Sequence, residues 1–286
     1  MKRCLFVKNG FLKLRSFDEL YKSFEQAARL TNVELTVLTN DQLRPFTAEI
    51  GAFDFVLFWD KDVRLAYELE KIGLPVYNSA MSIALCDDKT LTYLALKDKL
   101  PMPKTILCPA AYYGYTDYGF LDRVESELGF PYIMKEGQGS FGQQVYLIHS
   151  RAEAVERLGA LRETPCLFQR FIKEANGCDK RIYVVNGHVA AAMLRKAPDG
   201  DFRSNINGGG TAEKCTLSAD EERMAIDATK ALGLTFGGVD ILMSKEGPLI
   251  CEVNSNAHFT ALNRIAGTNI AALILEALSS YPQGAA

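Results

Sequence analysis

The sequence has little of the chemistry that marks several large classes of protein. Its 286 residues include only three histidines and one tryptophan, and 32 Lys plus Arg against 35 Asp plus Glu give a net charge of −3. With no positive field to hold a nucleic-acid backbone or an anionic membrane, small-molecule chemistry is favoured. No apolar run reaches the length that spans a bilayer, and the apolar stretch after Met1 is too short for a secretory signal. We therefore expect a cytoplasmic protein without nucleic-acid or membrane partners.

The cysteines and histidines offer no evident catalytic or metal centre. Seven cysteines are scattered along the chain, and their spacing matches neither a zinc site nor a redox pair. We expect most of them to be buried thiols in a reducing compartment. No serine or cysteine triad can be argued from the three histidines. Only His258 follows an acidic segment, where it either contacts a substrate or serves packing and loop hydrogen bonding.

Apolar and amphipathic segments alternate along the first third of the chain, which is typical of a parallel sheet with flanking helices. This Rossmann-like pattern ends near residue 85, and Pro101 and Pro103 precede the strand that enters a second domain. Farther on, Asn186-Gly187 predicts a two-residue hairpin turn. Ser218 and Glu221 predict a helix that starts with a capping box.

A glycine-rich loop, residues 136–142, joins two predicted strands. Glycine lets backbone N–H groups approach phosphate oxygens, and Lys135, just before the loop, could reach the same phosphates. The loop is not a Walker A sequence, since no Gly-Lys-Ser/Thr follows, nor a dinucleotide fingerprint, since a strand comes next. Lys89, at a helix start, is unfavourably placed unless an anion lies nearby. The alternatives are a flexible hairpin tip and an ordinary surface lysine.

Two carboxylates are expected to face each other between Gly238 and Asn254. If this segment folds as a hairpin about residues 245–248, Asp240 lies opposite Glu252, and Asn254 projects on the same face. Opposed carboxylates are unfavourable alone, but a hard cation such as magnesium would neutralise them. The alternative is that both face water or that a register slip separates them.

Arginines lie at the end of the predicted strand that follows the Asn186-Gly187 turn and in the polar loop after that strand. Arg195 ends the strand, and Arg203 and Asn205 lie in the loop. Guanidinium groups suit phosphates and developing oxyanions better than ammonium groups do. The alternative is that these arginines are solvated on a surface loop.

The order of these parts resembles the ATP-grasp superfamily, and specifically the RimK-like carboxylate–amine (glutamate) ligases. The motifs that carry the resemblance are Asp88-Lys89, Pro131-Tyr132-Ile133-Met134-Lys135, Gln169-Arg170-Phe171-Ile172, Asp179-Lys180-Arg181, Phe202-Arg203-Ser204-Asn205, Gly238-Val239-Asp240 and Glu252-Val253-Asn254. The resemblance implies an α/β and α+β chain with the ATP-grasp fold. A Rossmann-like N-terminal domain (1–86) would precede a central subdomain with the glycine loop (87–168) and a C-terminal subdomain with the metal site (169–286), the last two enclosing ATP.

The resemblance also assigns roles to individual residues. The phosphates of ATP would contact Lys89, Lys135, Gly137, Gly139, Ser140 and Gly142. The hinge against adenine would be Gln169, Arg170, Phe171 and Ile172, with Asp179 near the sugar. Magnesium, two ions in the family pattern with manganese as a substitute, would bind Asp240, Glu252 and Asn254. Arg195 would stabilise the reacting phosphoryl and acyl groups, with support from Arg203 and Asn205.

The implied activity is that of an ADP-forming carbon–nitrogen ligase. It would join small-molecule carboxylate and amine substrates, an amino acid or a small peptide-like molecule among them, through an acyl phosphate, and a homo-oligomer is compatible with the family. The alternatives are an ATP-grasp phosphotransferase and a catalytically silent nucleotide-binding protein. Arg170 departs from the glutamate common at the hinge, and residues 256–260 replace the Ser-Pro-Gly type of segment beside the acceptor site. Glutamate specificity therefore does not follow from the resemblance.

Overall fold

The computed structural model describes residues 1–44, 50, 53–139, 142–198, 200–204 and 209–281. The first of its three sheets is parallel, with strand order β2-β1-β3-β4. Its strands are β1 (Lys2–Lys8), β2 (Val33–Thr39), β3 (Phe55–Trp59) and β4 (Val76–Tyr77). The accompanying helices are α1 (Arg15–Leu30), α2 (Asn40–Leu43), α3 (Val63–Lys71) and α4 (Ala80–Asp87). All of β3 is buried, as expected of a strand covered on both faces.

The second sheet is antiparallel, with strand order β5-β8-β6-β7. Its strands are β5 (Thr105–Leu107), β6 (Tyr132–Glu136), β7 (Val145–Ile148) and β8 (Cys166–Arg170). The helices of this region are α5 (Lys89–Leu96), α6 (Leu121–Leu128) and α7 (Arg151–Leu161). Apolar side chains of α6 and α7 cover one face of the sheet, which leaves the other face available for a ligand. The domain boundaries at residues 86 and 168 stay predictions, and the second of them falls within β8.

The third sheet has five antiparallel strands in the order β11-β10-β9-β12-β13. They are β9 (Cys178–Val185), β10 (His188–Lys196), β11 (Thr211–Lys214), β12 (Phe236–Ser244) and β13 (Gly247–Asn254). The hairpin turn predicted at Asn186-Gly187 is confirmed, with φ of 48° and 74°. The capping box predicted for Ser218 and Glu221 opens α8 (Ala219–Ala231), which packs on one face of the sheet.

Helices α9 (Thr260–Ala266) and α10 (Ile270–Ser280) cover part of the other face of this sheet. Five side chains of α10 are buried there, which accounts for its apolar sequence. Within the described part of the chain, no single helix is long and apolar enough to cross a membrane. Among the described residues, only α9 and α10 taken together have the length and apolar composition of a membrane span, and their axes are bent by 106° at the break between them.

One continuous apolar core joins the first sheet to the third. The indole of Trp59 stacks on the ring of Phe236 with centroids 5.6 Å apart, and Phe24 of α1 contacts Phe259 edge-on at 5.5 Å. The Asn78 amide adds hydrogen bonds to the carbonyls of Phe236 and Ser255, at 2.9 and 3.1 Å. The first sheet is therefore packed against the elements that carry the predicted metal ligands.

Candidate active site

A cleft of about 870 Å³, open to solvent, lies between the uncovered faces of the second and third sheets. Both sheets contribute predicted site residues to its lining. Those in the lining are Lys89, Lys135, Gly139, Gly142, Gln169, Arg170, Phe171, Ile172, Asp179, Arg195, Arg203, Asp240 and Glu252. Residues far apart in sequence are thus brought together around one space.

The hairpin of β12 and β13 places Asp240 directly opposite Glu252, as predicted. The turn pairs Ser244 with Gly247, and a regular ladder from there would place Asp240 opposite Cys251. A bulge at Cys251 shifts the register by one residue and restores the pairing of the two carboxylates. Asn254 lies opposite Gly238, on the face that carries Glu252. The alternative of a register slip is therefore wrong.

A buried ion cluster holds the carboxylate of Asp240. Arg181 donates to it through Nε and Nη2, both at 2.7 Å, and Arg195 Nη2 donates at 2.7 Å. Arg195 Nε also donates to Asp179 at 2.6 Å. Burial alone would raise the pKa of Asp240, but the two guanidinium groups outweigh it and hold the pKa at about 2. Asp240 is therefore ionised at neutral pH.

Arg181 is the site residue that the sequence did not single out for a role, although its motif was noted. It stands opposite Asp240 in the β9–β12 ladder, so its side chain lies on the same face of the sheet. Arg195 is opposite Asp179 in the β9–β10 ladder. Because side chains alternate along a strand, the position of Asp179 predicts that Arg181 projects from the same face of β9. The contact of Arg181 with Asp240 could not be predicted in this way, since β12 is distant from β9 in sequence.

The two carboxylates and the amide carry oxygen atoms of the kind that magnesium prefers. All three side chains can supply hard oxygen ligands from one face of the sheet. The Asn254 Nδ2 atom is buried without a hydrogen-bond partner among the described residues. Exchanging the amide nitrogen and oxygen would put at this buried position an acceptor that a cation satisfies. The described residues contain no cluster of three His, Cys, Asp or Glu side chains that could hold a metal, so these side chains do not complete a cation site by themselves.

Two lysines beside the glycine loop reach the cleft. Lys89 Nζ donates to the carbonyl of Gly139 at 3.2 Å and lies 3.9 Å from Glu252 Oε1. Lys135 is 7% exposed, and its Nζ lies 3.6 Å from the sulfur of Cys251. Among the residues that the structure describes, no carboxylate forms an ion pair with Lys135, and because a buried ammonium without such a partner is costly, an anion in the cleft would stabilise it.

Gly137 lies at the base of the loop, outside the cleft lining. Its N–H donates to the Pro165 carbonyl at 2.6 Å, and its carbonyl accepts from the Lys89 N–H at 2.8 Å. A Cβ at this position would lie 3.0 Å from Asp88 Oδ1 and 3.1 Å from the Pro165 oxygen. Gly137 thus connects the loop to the start of α5 at contacts that a Cβ atom would make tighter than usual.

We expect Gly137→Ala to destabilise the protein by about 1–3 kcal/mol, because the added methyl overpacks this contact. Gly159→Ala is the matched control. Its Cβ would meet only the Tyr118 hydroxyl, at 3.9 Å, inside α7, where alanine is favoured over glycine by about 0.5–1 kcal/mol. Chemical denaturation of both variants checks the sign, and equal stability of the two would contradict the packing argument.

Arg203 links the two sides of the cleft. Its Nη1 donates to the Gly142 carbonyl at 3.2 Å, and its Nε donates to Asp201 at 3.0 Å. The guanidinium is thus directed at the glycine loop. Ser204, which carried no predicted role, is buried and lines the cleft together with Asp179. The predicted site residues Ser140 and Asn205 lie outside the described residues.

The predicted hinge, residues 169–172, forms one end of the cleft. The Gln169 amide donates to the Thr105 hydroxyl at 2.9 Å, which fixes that side chain. The backbone N–H of Arg170 donates to the Lys104 carbonyl at 2.8 Å, and its guanidinium lies 3.4 Å from the Glu127 carbonyl oxygen. The exposed Arg170 guanidinium therefore contacts the second sheet's helix α6.

His258 connects the third sheet to the N-terminal domain. Its Nε2 lies 2.7 Å from the Ser16 carbonyl oxygen, so the neutral ring donates there, and its Nδ1 is 3.2 Å from the Thr260 hydroxyl. The ring also meets Phe17 edge-on at 5.4 Å. Loop hydrogen bonding and packing, the second of the two readings for this residue, account for these contacts.

Burial lowers the pKa of His258 below the 6.5 of an ordinary histidine. Between the lowered pKa and 6.5, the unfolded chain binds a proton that the folded protein does not. We therefore expect the free energy of unfolding to decrease as the pH falls from about 7 to about 5.5, and His258→Gln to flatten that decrease. Urea denaturation at both pH values tests this, and identical losses in the two proteins would contradict it.

The fold and the cleft place the chain in the class of ATP-grasp proteins. D-alanine–D-alanine ligase from Bacillus anthracis superimposes with a TM-score of 0.75 at 17% identity, covering 98% of both chains. The ATP-grasp ligase PsnB superimposes with a TM-score of 0.72 at 20% identity, covering 98% of this chain and 99% of that one. The predicted mixture of helices and sheets in an ATP-grasp fold is therefore confirmed.

Within this class the chain belongs to the RimK-like ATP-grasp family, whose family model matches residues 86–278. Human N-acetylaspartylglutamate synthase A is 32% identical over 76% of this chain and 55% of its own length. A probable alpha-L-glutamate ligase of Cellvibrio japonicus is 36% identical over 73% of this chain and 68% of its own length. The chain thus spans little more than half the length of the human relative. The predicted resemblance is confirmed.

Proposed function

We propose that the protein is an ATP-dependent carboxylate–amine ligase that forms an amide bond through an acyl phosphate. The observation that carries the proposal is the arrangement of charges across the cleft. Asp240 and Glu252 stand opposite each other on the third sheet, while Lys89 and Lys135 approach from the side of the glycine loop. This is an arrangement suited to holding a metal-bound polyphosphate between two sheets.

In the first step, the residues of the cleft would neutralise negative charge on the reacting groups. A substrate carboxylate must approach the γ-phosphate, and like charges oppose that approach until cations cancel them. The positively charged side chains of Lys89, Lys135 and Arg203 line the cleft and would contact the phosphates. Magnesium held by Asp240, Glu252 and Asn254 would neutralise the remaining charge and polarise the transferred phosphoryl group.

The second step needs a stabilised oxyanion and protection from water. An amine attacks the acyl carbon, and phosphate leaves. Arg195 lies in the cleft wall, and its positive charge would favour the tetrahedral oxyanion. The glycine loop, joined to Arg203 by the hydrogen bond at Gly142, would cover the reacting groups and limit hydrolysis of the acyl phosphate.

For the substrates, we propose an amino acid or small peptide-like acceptor and a small carboxylate donor. The names of the human and Cellvibrio relatives, a synthase of an acidic dipeptide derivative and a probable glutamate ligase, favour acidic substrates. We include glutamate in the first panel on that ground alone, since residues 256–260 differ from the segment common in glutamate ligases.

The test is release of ADP and phosphate from Mg-ATP in the presence of paired carboxylates and amines, with mass spectrometry of any product. Release that requires both partners, together with an amide product, would support the ligase. ADP formation without free phosphate would instead indicate a phosphotransferase. Nucleotide binding without turnover across acidic and neutral panels would favour a silent nucleotide-binding protein.

A further inference from the structure

Two cysteines that are far apart in sequence meet on the back of the second sheet. The β5–β8 ladder pairs Leu107 with Leu167, and the next residues along, Cys108 and Cys166, continue it. The Cys108 N–H donates to the Cys166 carbonyl at 3.0 Å, so the two residues form a hydrogen-bonded cross-strand pair. Their sequence spacing gave no sign of a redox pair.

The spacing of such a pair suits a disulfide. Directly opposed residues of a hydrogen-bonded pair have Cα atoms about 5.5 Å apart, and disulfides most often span about 5.5–6 Å. The two thiols are close enough to shift each other's pKa, since Cys166 lowers the pKa of Cys108 and Cys108 raises the pKa of Cys166. Directly opposed residues project to the same face of the sheet, so the two sulfurs can meet without a change of strand register.

The surroundings make the two sulfurs unequal. Cys166 is 1% exposed within the apolar cluster of α6 and α7, whereas Cys108 lies at its edge and is partly exposed. The Cys108 sulfur is also 3.1 Å from the Tyr115 hydroxyl, which donates to the Pro109 carbonyl at 2.8 Å and can turn its one proton from that carbonyl to a Cys108 thiolate. The Cys166 thiol and this hydroxyl lower the pKa of Cys108 against the effect of burial, so Cys108 is the more nucleophilic of the pair.

We propose that Cys108 and Cys166 form an oxidation site at which hydrogen peroxide produces an intramolecular disulfide. The Cys108 thiolate attacks peroxide, an S–O bond forms as the O–O bond breaks, and the hydroxide released takes up a proton to become water. The Cys166 sulfur then attacks the sulfenic acid, an S–S bond forms as the S–O bond breaks, and a second water leaves with the Cys166 proton. Two thiols are oxidised, and one peroxide is reduced to two waters.

The site is separate from the cleft. Along β8, Cys166 and Phe168 point into the cluster on the back of the sheet, while Leu167 and Gln169 line pockets on the front. Cys178 and Cys251 are instead in the cleft lining, so they distinguish oxidation of the cleft from oxidation of this pair.

The experiment treats the full-length protein with one equivalent of hydrogen peroxide, blocks the remaining thiols with N-ethylmaleimide and maps the peptides by mass spectrometry. We expect a cross-linked peptide containing Cys108 and Cys166, lighter by two hydrogen atoms and cleaved by a reductant. Recovery of both residues as alkylated thiols would overturn the proposal, as would sulfinic acid at Cys108 without a cross-link.

Three variants sharpen the result. In Cys166→Ser, the oxidation should stop at the sulfenic acid, and a 1,3-diketone probe should label Cys108. In Cys108→Ser, neither the cross-link nor a label at Cys166 should form. Cys178→Ser, which removes a thiol of the cleft, should leave the cross-link unchanged. Labelling of Cys166 rather than Cys108 in the single variants would contradict the assigned order of attack.

Discussion

Replacing Glu252 by glutamine should lower turnover by a factor of about 10²–10³ and leave the melting temperature close to that of the wild type. The factor follows from the several kcal/mol that a metal ion contributes to charge stabilisation in a transition state. The fold should survive because the Glu252 side chain is 32% exposed and its ion-pair contact, with Lys89, is as long as 3.9 Å. Weak surface pairs of this kind contribute little to stability.

The measurement is steady-state turnover of the substrate pair identified by the panel, with thermal unfolding in parallel. Binding of Mn²⁺ in the presence of ADP, followed by electron paramagnetic resonance, should weaken in the same variant. Glu213→Gln is the matched control, since this exposed glutamate pairs only with Lys196 among the described residues, at the edge of the third sheet. If Glu252→Gln retained the turnover and the Mn²⁺ affinity of the wild type, the assignment of Glu252 as a metal ligand would be wrong.

The second large effect concerns stability. Arg195→Met should lower the free energy of unfolding by about 3–5 kcal/mol, because it leaves Asp179 and Asp240 close together in a buried site with one cation fewer. Arg195 is 4% exposed, and its guanidinium serves both carboxylates. Lysine cannot restore this geometry, since a single ammonium lacks the planar fork that spans the two partners.

Chemical denaturation measures the effect, with Arg203→Met as the comparison. Arg203 has a 38% exposed side chain and pairs with Asp201, so its loss should cost no more than about 1 kcal/mol. Combining Asp179→Asn with Arg195→Met should recover part of the lost stability, because Arg181 still neutralises Asp240. Equal destabilisation by the two arginine variants would show that burial of the cluster is not the cause.

The sequence was sufficient for those parts of the site that depend on local periodicity. Strand alternation places Glu252 and Asn254 on one face, and the structure has them there. The start of α8 could likewise be predicted, because the capping box of Ser218 and Glu221 involves only four consecutive residues. These features need only neighbouring residues, so they can be derived without knowing the rest of the fold.

Other features could not be derived, because they depend on which strands become neighbours. The contact of Arg181 with Asp240 requires β9 to pair with β12, and that of Cys108 with Cys166 requires β5 to pair with β8. The bulge at Cys251 is a further example. The predicted pairing of the carboxylates was correct, but the physical device that produces it is an extra residue in one strand.

The shared core of the first and third sheets limits how the chain can be divided. The family match begins at residue 86, which would suggest a minimal fragment starting there. Such a fragment would uncover Phe236 and Phe259, which are fully buried against Trp59 and Phe24 in the whole protein. A contiguous aromatic surface of this kind promotes aggregation. The part of the chain from residue 86 onward is thus an unsuitable unit for excision, domain grafting or fragment crystallisation unless residues 1–85 accompany it.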